Sequence, residues 1–397
     1  MNVDQKSLST SHAAASVEKI LMPLHKEETS KIPAAIPINF TNLEHDHPSK
    51  NLYVIGITGT NGKTTVSHLI GEVLKSAGYS PFVLGTLNSG NKDLSTPESI
   101  DIEKFMSAHL ARGGTHFVME VTSEGIDQLR VLGIDFDIKI LTNITQDHLD
   151  YHKTFKHYKS TKMGFMNEGS AHKIFPHEFK NVPIEFTTRL LGDFNHLNIQ
   201  AATSALRHIG VPEETIHKTL ASCLPPRGRM ENVEKGQPYM VLVDYAHTPD
   251  GLENVLRTAK DIALSRDGRL LVLFGCGGNR DRGKRPQMGK IASDIADILV
   301  ITDDNPRQED SQTILDEIVG GISPDFRDFV LIQNRTTAIN YIINQSGMND
   351  VVILAGKGHE TSQITNSGTI HFDDREKAGN AILIRMETFG SEIHSHT

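Results

Sequence analysis

The chain has 397 residues, 38% hydrophobic and 22% charged, with a formal net charge of −9. That length carries two or three domains with ordinary cores, and interspersed charge of net negative sign excludes the basic footprint of a nucleic-acid binder. The two cysteines, Cys223 and Cys276, match no metal-ligand spacing and fit a reducing compartment, and without a leader-like start or an apolar run near ~20 residues the expectation is a cytoplasmic protein with no membrane partner.

Residues 1–48 are weakly patterned, with one short amphipathic helix expected over 15–25 and a turn-like end at Glu44-His45-Asp46-His47-Pro48. Residues 52–57 form an apolar run that reads as a buried strand. It leads into Gly59-Thr60-Asn61-Gly62-Lys63-Thr64-Thr65, followed by a helical pattern over 66–77. A glycine-rich turn between strand and helix aims backbone N–H groups into one concavity suited to phosphate oxygens. Lys63 adds positive charge for the terminal phosphates, and the Thr64 hydroxyl suits Mg²⁺. The strict P-loop spacing is broken, because Ile57 stands where the first glycine belongs.

Further strands are expected at 82–84, 117–119 and 138–141, alternating with helices. This predicts a mainly parallel, helix-covered sheet in residues 49–225. Glu120 closes one strand; there it can hold Mg²⁺, or serve as a helix cap or surface acid. After the next strand comes Thr142-Asn143-Ile144-Thr145-Gln146-Asp147-His148-Leu149-Asp150-Tyr151-His152, a cluster able to bind metal or phosphate, at the strand end where α/β ligands gather. Pro225-Pro226-Arg227-Gly228-Arg229 reads as a linker. Beyond it, strands at 240–243, 270–274, 298–301, 329–332 and 351–354 alternate with helices as a second, doubly wound unit. The expected fold is therefore α/β: a short N-terminal segment (1–48), a P-loop ATP-binding unit (49–225) and a Rossmann-like C-terminal unit (226–397).

Five ordered motifs now carry a resemblance. Gly59 to Thr65, Met119-Glu120-Val121-Thr122-Ser123, Thr142 to His152, Val243-Asp244-Tyr245-Ala246-His247-Thr248-Pro249 and Gly275-Cys276-Gly277-Gly278-Asn279-Arg280-Asp281 follow one another as in the Mur ligases, which the chain resembles from about Pro48 to Arg375. Gly356-Lys357-Gly358-His359-Glu360 is similar as well. The resemblance implies an ATP-dependent amide ligase. A substrate carboxylate takes the γ-phosphate of ATP, and an amine displaces phosphate from the acyl phosphate. Lys63 and Mg²⁺ would absorb charge on the transferred phosphoryl group. Thr64, Glu120 and His148 match the family's metal positions. The family also has a carbamylated lysine after a Tyr-x-x-x-Lys element; here that is Lys162 in Tyr158-Lys159-Ser160-Thr161-Lys162, with Lys156 and Lys159 nearby. Asn195 and Asn198 match an element near the adenine, and Arg227, Asp244 and His247 would close over the nucleotide. Asp244 and His247 could equally cap a strand-to-helix turn.

Asp304-Asn305-Pro306-Arg307 resembles the tetrapeptide of family members that add meso-diaminopimelate. An arginine fork can grip that amino acid's distal carboxylate, which lysine lacks. Arg280 would hold a carboxylate, and Glu360 with the Gly356 carbonyl an ammonium. Taken alone, Asn-Pro reads as a turn. On the acceptor side Ser95, Thr96, Thr122, Gln128 and Arg130 match positions that touch a muramoyl dipeptide nucleotide. Thr122-Ser123-Glu124, however, stands where the family usually has Ser-Ser-His. The segment before the P-loop and the stretch from Lys162 to Gly192 are both shorter than the family pattern. A related ligase, folylpolyglutamate-like or cyanophycin-like, on a smaller acceptor is the alternative reading, and a decayed nucleotide-binding protein the third. A monomer is expected.

Overall fold

Short apolar runs become strands buried on both faces, as a parallel sheet between helix layers requires. The computed structural model describes residues 47–89 and 94–395, so the helix expected over 15–25 and all but the end of the N-terminal segment lie outside the described residues. From His47 onward the chain clusters as one unit holding a five-stranded sheet, a six-stranded sheet and a two-stranded hairpin.

The first sheet contains β1 (Tyr53–Thr58), β2 (Pro81–Leu84), β3 (His116–Glu120), β4 (Ile138–Leu141) and β5 (His172–Ile174) in the order β2-β3-β1-β4-β5, with every pair parallel. Its helices are α1 (Lys63–Ser76), α2 (Ser99–Leu110), α3 (Ser123–Asp127), α4 (Leu149–His152), α5 (Phe155–Asn167), α6 (Pro176–Phe179), α7 (Asp193–Ile209) and α8 (Glu213–Ser222). The strands alternate sides with period two. Ile55, Ile57 and Val118 join Leu69, Ile70, Ile199 and Leu206 under α1 and α7, whereas Val54, Phe117 and Met119 join Ile102, Met106 and Phe165 under α2 and α5.

The second sheet runs β10-β9-β8-β11-β7-β6. It is built from β6 (Glu231–Asn232), β7 (Met240–Asp244), β8 (Leu270–Phe274), β9 (Ile298–Ile301), β10 (Phe329–Leu331) and β11 (Val351–Ala355), parallel except for the short edge strand β6. α9 (Pro249–Ser265), α10 (Lys284–Ile295) and α11 (Ser311–Val319) cover one face, and α12 (Arg335–Gln345) and α13 (Asp374–Ser395) the other. A hairpin of β12 (Ser362–Thr365) and β13 (Gly368–His371) forms its own two-stranded sheet and bonds to the loop after β9, where the Arg307 N–H donates to the Ile364 carbonyl at 3.0 Å and Gln363 Nε2 to the Asp304 carbonyl at 2.8 Å.

Three features differ from the sequence expectation. α1 begins at Lys63, not 66, because the phosphate loop's last residues already form the first helical turn. The polar stretch after Lys162 contains β5 and α6; β5 is a three-residue edge strand with an exposed histidine, so it leaves no apolar run. In the β12–β13 hairpin β13 is exposed and β12 half-buried, and both are mainly polar, so it leaves no such signal either.

Thr248 caps α9, its hydroxyl accepting from the Gly251 N–H at 3.0 Å, with Pro249 in the first turn. Thr248→Ala should lower unfolding free energy by about 1 kcal/mol. Urea denaturation would show a lower midpoint at unchanged slope.

Candidate functional site

The parallel strands of each sheet bring their carboxyl ends, and the loops after them, to one edge. In the first sheet these loops carry the phosphate loop after β1, Glu120 at the end of β3, and 142–152 after β4. In the second they carry 244–247, 275–280, 304–307 and 356–360, after β7, β8, β9 and β11. Arg335 holds two of these strand ends in place, donating to the carbonyls of Asp303 (3.3 Å) and Ala355 (3.0 Å) while fully buried against Asp374.

Gly62 caps α1 in the left-handed region (φ 88°), and a Cβ there would lie 2.4 Å from Asn198 Oδ1. Only glycine fits that combination. The Lys63 ammonium donates to the Gly59 and Thr60 carbonyls at 2.8 and 2.9 Å. Burial pushes its pKa down, and the charges of Glu120 and Asp147 oppose the shift. The Thr64 hydroxyl donates to Glu120 Oε2 at 3.1 Å, and Glu120 also accepts from Thr86 N and Oγ1 at 2.9 and 3.0 Å. At 2% exposure Glu120 faces the phosphate loop and is not a surface acid.

His148 is left-handed (φ 54°), which turns its ring between two carboxylates: Nδ1 lies 3.4 Å from Glu124 and Nε2 3.3 Å from Asp147. Among the three nearby lysines, Lys156 and Lys159 are exposed, whereas Lys162 is 1% exposed. Its Nζ donates to Gly59 O at 3.0 Å and sits 4.9 Å above the Tyr158 ring. The Tyr158 hydroxyl pairs with Thr60 Oγ1 at 2.8 Å. Burial, and then the charge of Lys63, hold the Lys162 amine well below its usual pKa.

Opposite stand the groups of the second sheet. Arg307 is left-handed (φ 56°), and its Nη1 donates to the Gly278 and Asn305 carbonyls at 3.1 and 3.3 Å. Asn305 and Lys357 both donate to Glu360 Oε2, at 2.9 and 2.8 Å. Burial, with Asp304 nearby, raises the Glu360 pKa, and Lys357 opposes that shift. Gly356 lies at φ 111°, where a Cβ would come within 2.6 Å of Asp304 Oδ2. Acids and arginines thus alternate around one space, which suits a ligand bearing both an ammonium and carboxylates.

Two clefts result. A polar cleft of about 240 Å³ is lined by Thr60 to Thr64, Ser95, Thr96, Glu120, Thr122, Arg130, His148, His247, Arg280, Asp304, Asn305, Arg307, Gly356 and Glu360. A second, of about 550 Å³, has apolar walls from Phe179, Phe194, Leu197 and Val255 beside Thr65, Asn198 and Asp244. Asn61, Gly62, Thr64, Arg229, Tyr245 and His247 line both. The sheets meet here: Asn61 Nδ2 donates to Asp250 at 2.8 Å, and Arg280 pairs with Asp150 at 3.6 Å.

Several expected positions need correcting. Arg227 does not close over the nucleotide cleft; it pairs with Asp373 at 2.9 Å beside a separate shallow depression. Gly228 (φ 69°) turns the linker, so Arg229 points inward instead, donating to Thr64 Oγ1 at 3.2 Å and stacking 4.6 Å from Tyr245. The Asp244 carboxylate accepts from the N–H groups of Met230 and Ala246 at 2.8 and 2.7 Å, which is the capping alternative. Asn195 is buried behind the cleft and accepts from Asn198 Nδ2 at 3.0 Å, so it positions Asn198. Gly59, the first residue of the phosphate loop, and Lys162 behind it line neither cleft, and Gln128 reaches Tyr151 at 3.3 Å, also outside both. Pro306 contributes backbone, its carbonyl packed on Gly278. Ser95 and Thr96 form a hydroxyl chain to Thr86 and Thr122, and Arg130 reaches Thr96 O at 2.8 Å and Glu98 at 3.1 Å. Asp147, from the cluster read as able to bind metal or phosphate, lines the polar cleft; Arg229, Tyr245, Lys284 and Asp250 also line these clefts and were not expected. For Arg229 the signal was present, two residues beyond the wrong arginine.

His247 Nδ1 donates to Tyr245 O at 2.8 Å, and burial pushes this histidine down to about 4. His359 is likewise pushed down to about 3. Both are neutral in the fold, while the unfolded chain takes up protons near 6.5. Stability should therefore fall as pH drops from 6.5 toward 4. Urea midpoints at pH 7 and pH 5 would show it, with a flatter profile in His359→Gln.

Residues 57–175 match the Mur ligase middle domain, and residues 228–358 the Mur ligase, glutamate ligase domain. A UDP-N-acetylmuramoyl-L-alanyl-D-glutamate–2,6-diaminopimelate ligase from Bacillus cereus is 37% identical over 403 residues, covering 86% of this chain and 80% of the relative. A solved structure of a ligase of that name aligns with a TM-score of 0.53 at 29% identity, over 85% of this chain and 79% of the other. A pseudomurein peptide ligase type C from Methanothermus fervidus shares the fold at a TM-score of 0.60 and 17% identity, over 87% and 80%. No helix among the described residues is long and apolar enough to cross a membrane.

Proposed function

Because the chain belongs to the Mur ligase family, we propose that it is an ATP-dependent ligase joining meso-diaminopimelate to UDP-N-acetylmuramoyl-L-alanyl-D-glutamate, a step in building peptidoglycan precursor. The observation that carries this reading is the polar cleft, in which the phosphate loop faces Asp304, Arg307 and Glu360 directly. ATP as substrate supports work in the cytoplasm.

On this reading the adenine occupies the apolar cleft beside Asn198, and the phosphates cross Gly62 and Thr64 into the polar one. Lys63 leaves the loop carbonyls to hold the γ-phosphate as it passes to the acceptor carboxylate. Arg229, which already touches Thr64, adds a second positive charge on the opposite side. The tetrahedral adduct of amine and acyl phosphate forms between Lys63 and the Arg307–Glu360 wall. Arg307 and Arg280 grip carboxylates of the incoming amino acid; Glu360, Asp304 and the Gly356 carbonyl receive an ammonium.

Thr64, Glu120, His148 and a carbamate on Lys162 would hold Mg²⁺, and these mainly hard oxygen donors fit it. Bound there, Mg²⁺ supplies charge neutralisation of the phosphates. A carbamate forms only on an uncharged amine, and the burial of Lys162 favours that form. A carbamate on Lys162 would add a hard oxygen donor beside the phosphate loop, which Lys162 already touches at Gly59 O.

The test is product analysis by mass spectrometry with bicarbonate, ATP and both coupling partners, offering the nucleotide-linked dipeptide and the bare dipeptide side by side. Expected is ADP release and a product heavier by one diaminopimelate residue, from the nucleotide-linked acceptor. ADP release with lysine but not with diaminopimelate would overturn the substrate assignment.

A further inference from the structure

We propose a second cation site, of zinc type and separate from the Mg²⁺ ligands, formed by Asp127, His152 and His157. The proposal does not depend on the ligase reading. Asp127 ends α3, His152 ends α4 and His157 lies in the first turn of α5. Each offers a donor atom, and these atoms all lie within 4.8 Å of one another.

His152 Nδ1 faces His157 Nδ1 at 3.3 Å, and His157 Nε2 faces Asp127 Oδ1 at 3.5 Å. One zinc takes one nitrogen of His157, and tetrahedral bonds of ~2.0–2.1 Å separate ligand atoms by about 3.3 Å, so donors that lie within 4.8 Å of one another close in by side-chain rotation when the ion binds. His152 is 2% exposed, and its Nε2 meets no hydrogen-bond partner, so its polar contact is the edge turned to His157. One of the two Nδ1 atoms donates its hydrogen to the other, and a cation bound between the rings takes the place of that hydrogen. The Tyr151 hydroxyl donates to Asp127 Oδ2 at 2.9 Å, the kind of outer contact that orients a ligating carboxylate.

Two imidazoles and one carboxylate select zinc-like ions over magnesium, which prefers oxygen. The site would tie three short helices together behind the catalytic segment. The His152 ring lies 5.4 Å from that of Tyr158, which in turn covers Lys162. A cation here therefore steadies the backing of His148 and Lys162 without touching substrate.

The test titrates metal-stripped full-length protein with Co²⁺ in excess Mg²⁺. Expected is one equivalent of tetrahedral visible absorption, displaced by Zn²⁺, and a higher melting temperature with Zn²⁺. His157→Ala and Asp127→Asn change exposed side chains and should each weaken binding at least tenfold. His208→Ala serves as control, because His172 and His208 stack 3.7 Å apart and could capture metal. Absence of the band, or a band unchanged in His157→Ala, overturns the proposal, as does its loss in His208→Ala alone.

Discussion

Lys162→Ala is expected to reduce ADP release in the complete reaction by about 10³-fold, and formate or acetate should restore part of that rate. Removing one preorganised charged group beside a transferring phosphoryl costs about 10²–10³-fold. Here the lost group also supports the phosphate loop through Gly59 O, which moves the effect to the upper end. A small carboxylate can enter the space left under Tyr158 and replace the anionic function. A purely structural lysine would lose stability without any rescue, and an unimpaired rate would remove Lys162 from the mechanism.

The second large effect concerns specificity. Arg307→Ala should lower kcat/KM for meso-diaminopimelate by about 10²–10³-fold, about 3–4 kcal/mol, because a charge partner in a desolvated cleft is removed. The KM for ATP should stay the same, since Arg307 lines only the polar cleft. Arg307→Lys should recover little, because a point charge cannot replace a planar fork. Steady-state kinetics with each substrate varied would decide it; equal losses for ATP and amino acid would deny Arg307 its selective role.

The strand–loop–helix sites were legible because their chemistry is local. Gly59 to Thr65 must lie where β1 ends, and Asp304 to Arg307 where β9 ends, whatever the rest of the chain does. Lys162 was legible only through family resemblance; three lysines share that helix, and burial alone separates them. Arg227 was misplaced, and Asp244 took its capping alternative at the edge of the second cleft, for one physical reason. Which side chain of a turn faces inward depends on backbone sign, here the left-handed Gly228, and on which N–H groups need a carboxylate. β5 and the β12–β13 hairpin were invisible, since edge and exposed strands need no apolar run.

The strip common to both clefts, with Gly62 and Thr64 from one sheet and Arg229, Tyr245 and His247 from the other, has a consequence for economy. Neither half of the molecule can complete the surroundings of a terminal phosphate by itself. A nucleotide held by the first half alone would meet only part of that lining, so ATP hydrolysis without a coupling partner is expected to be slow, which ADP release with ATP alone would check. Fuel is then burned chiefly when there is something to join.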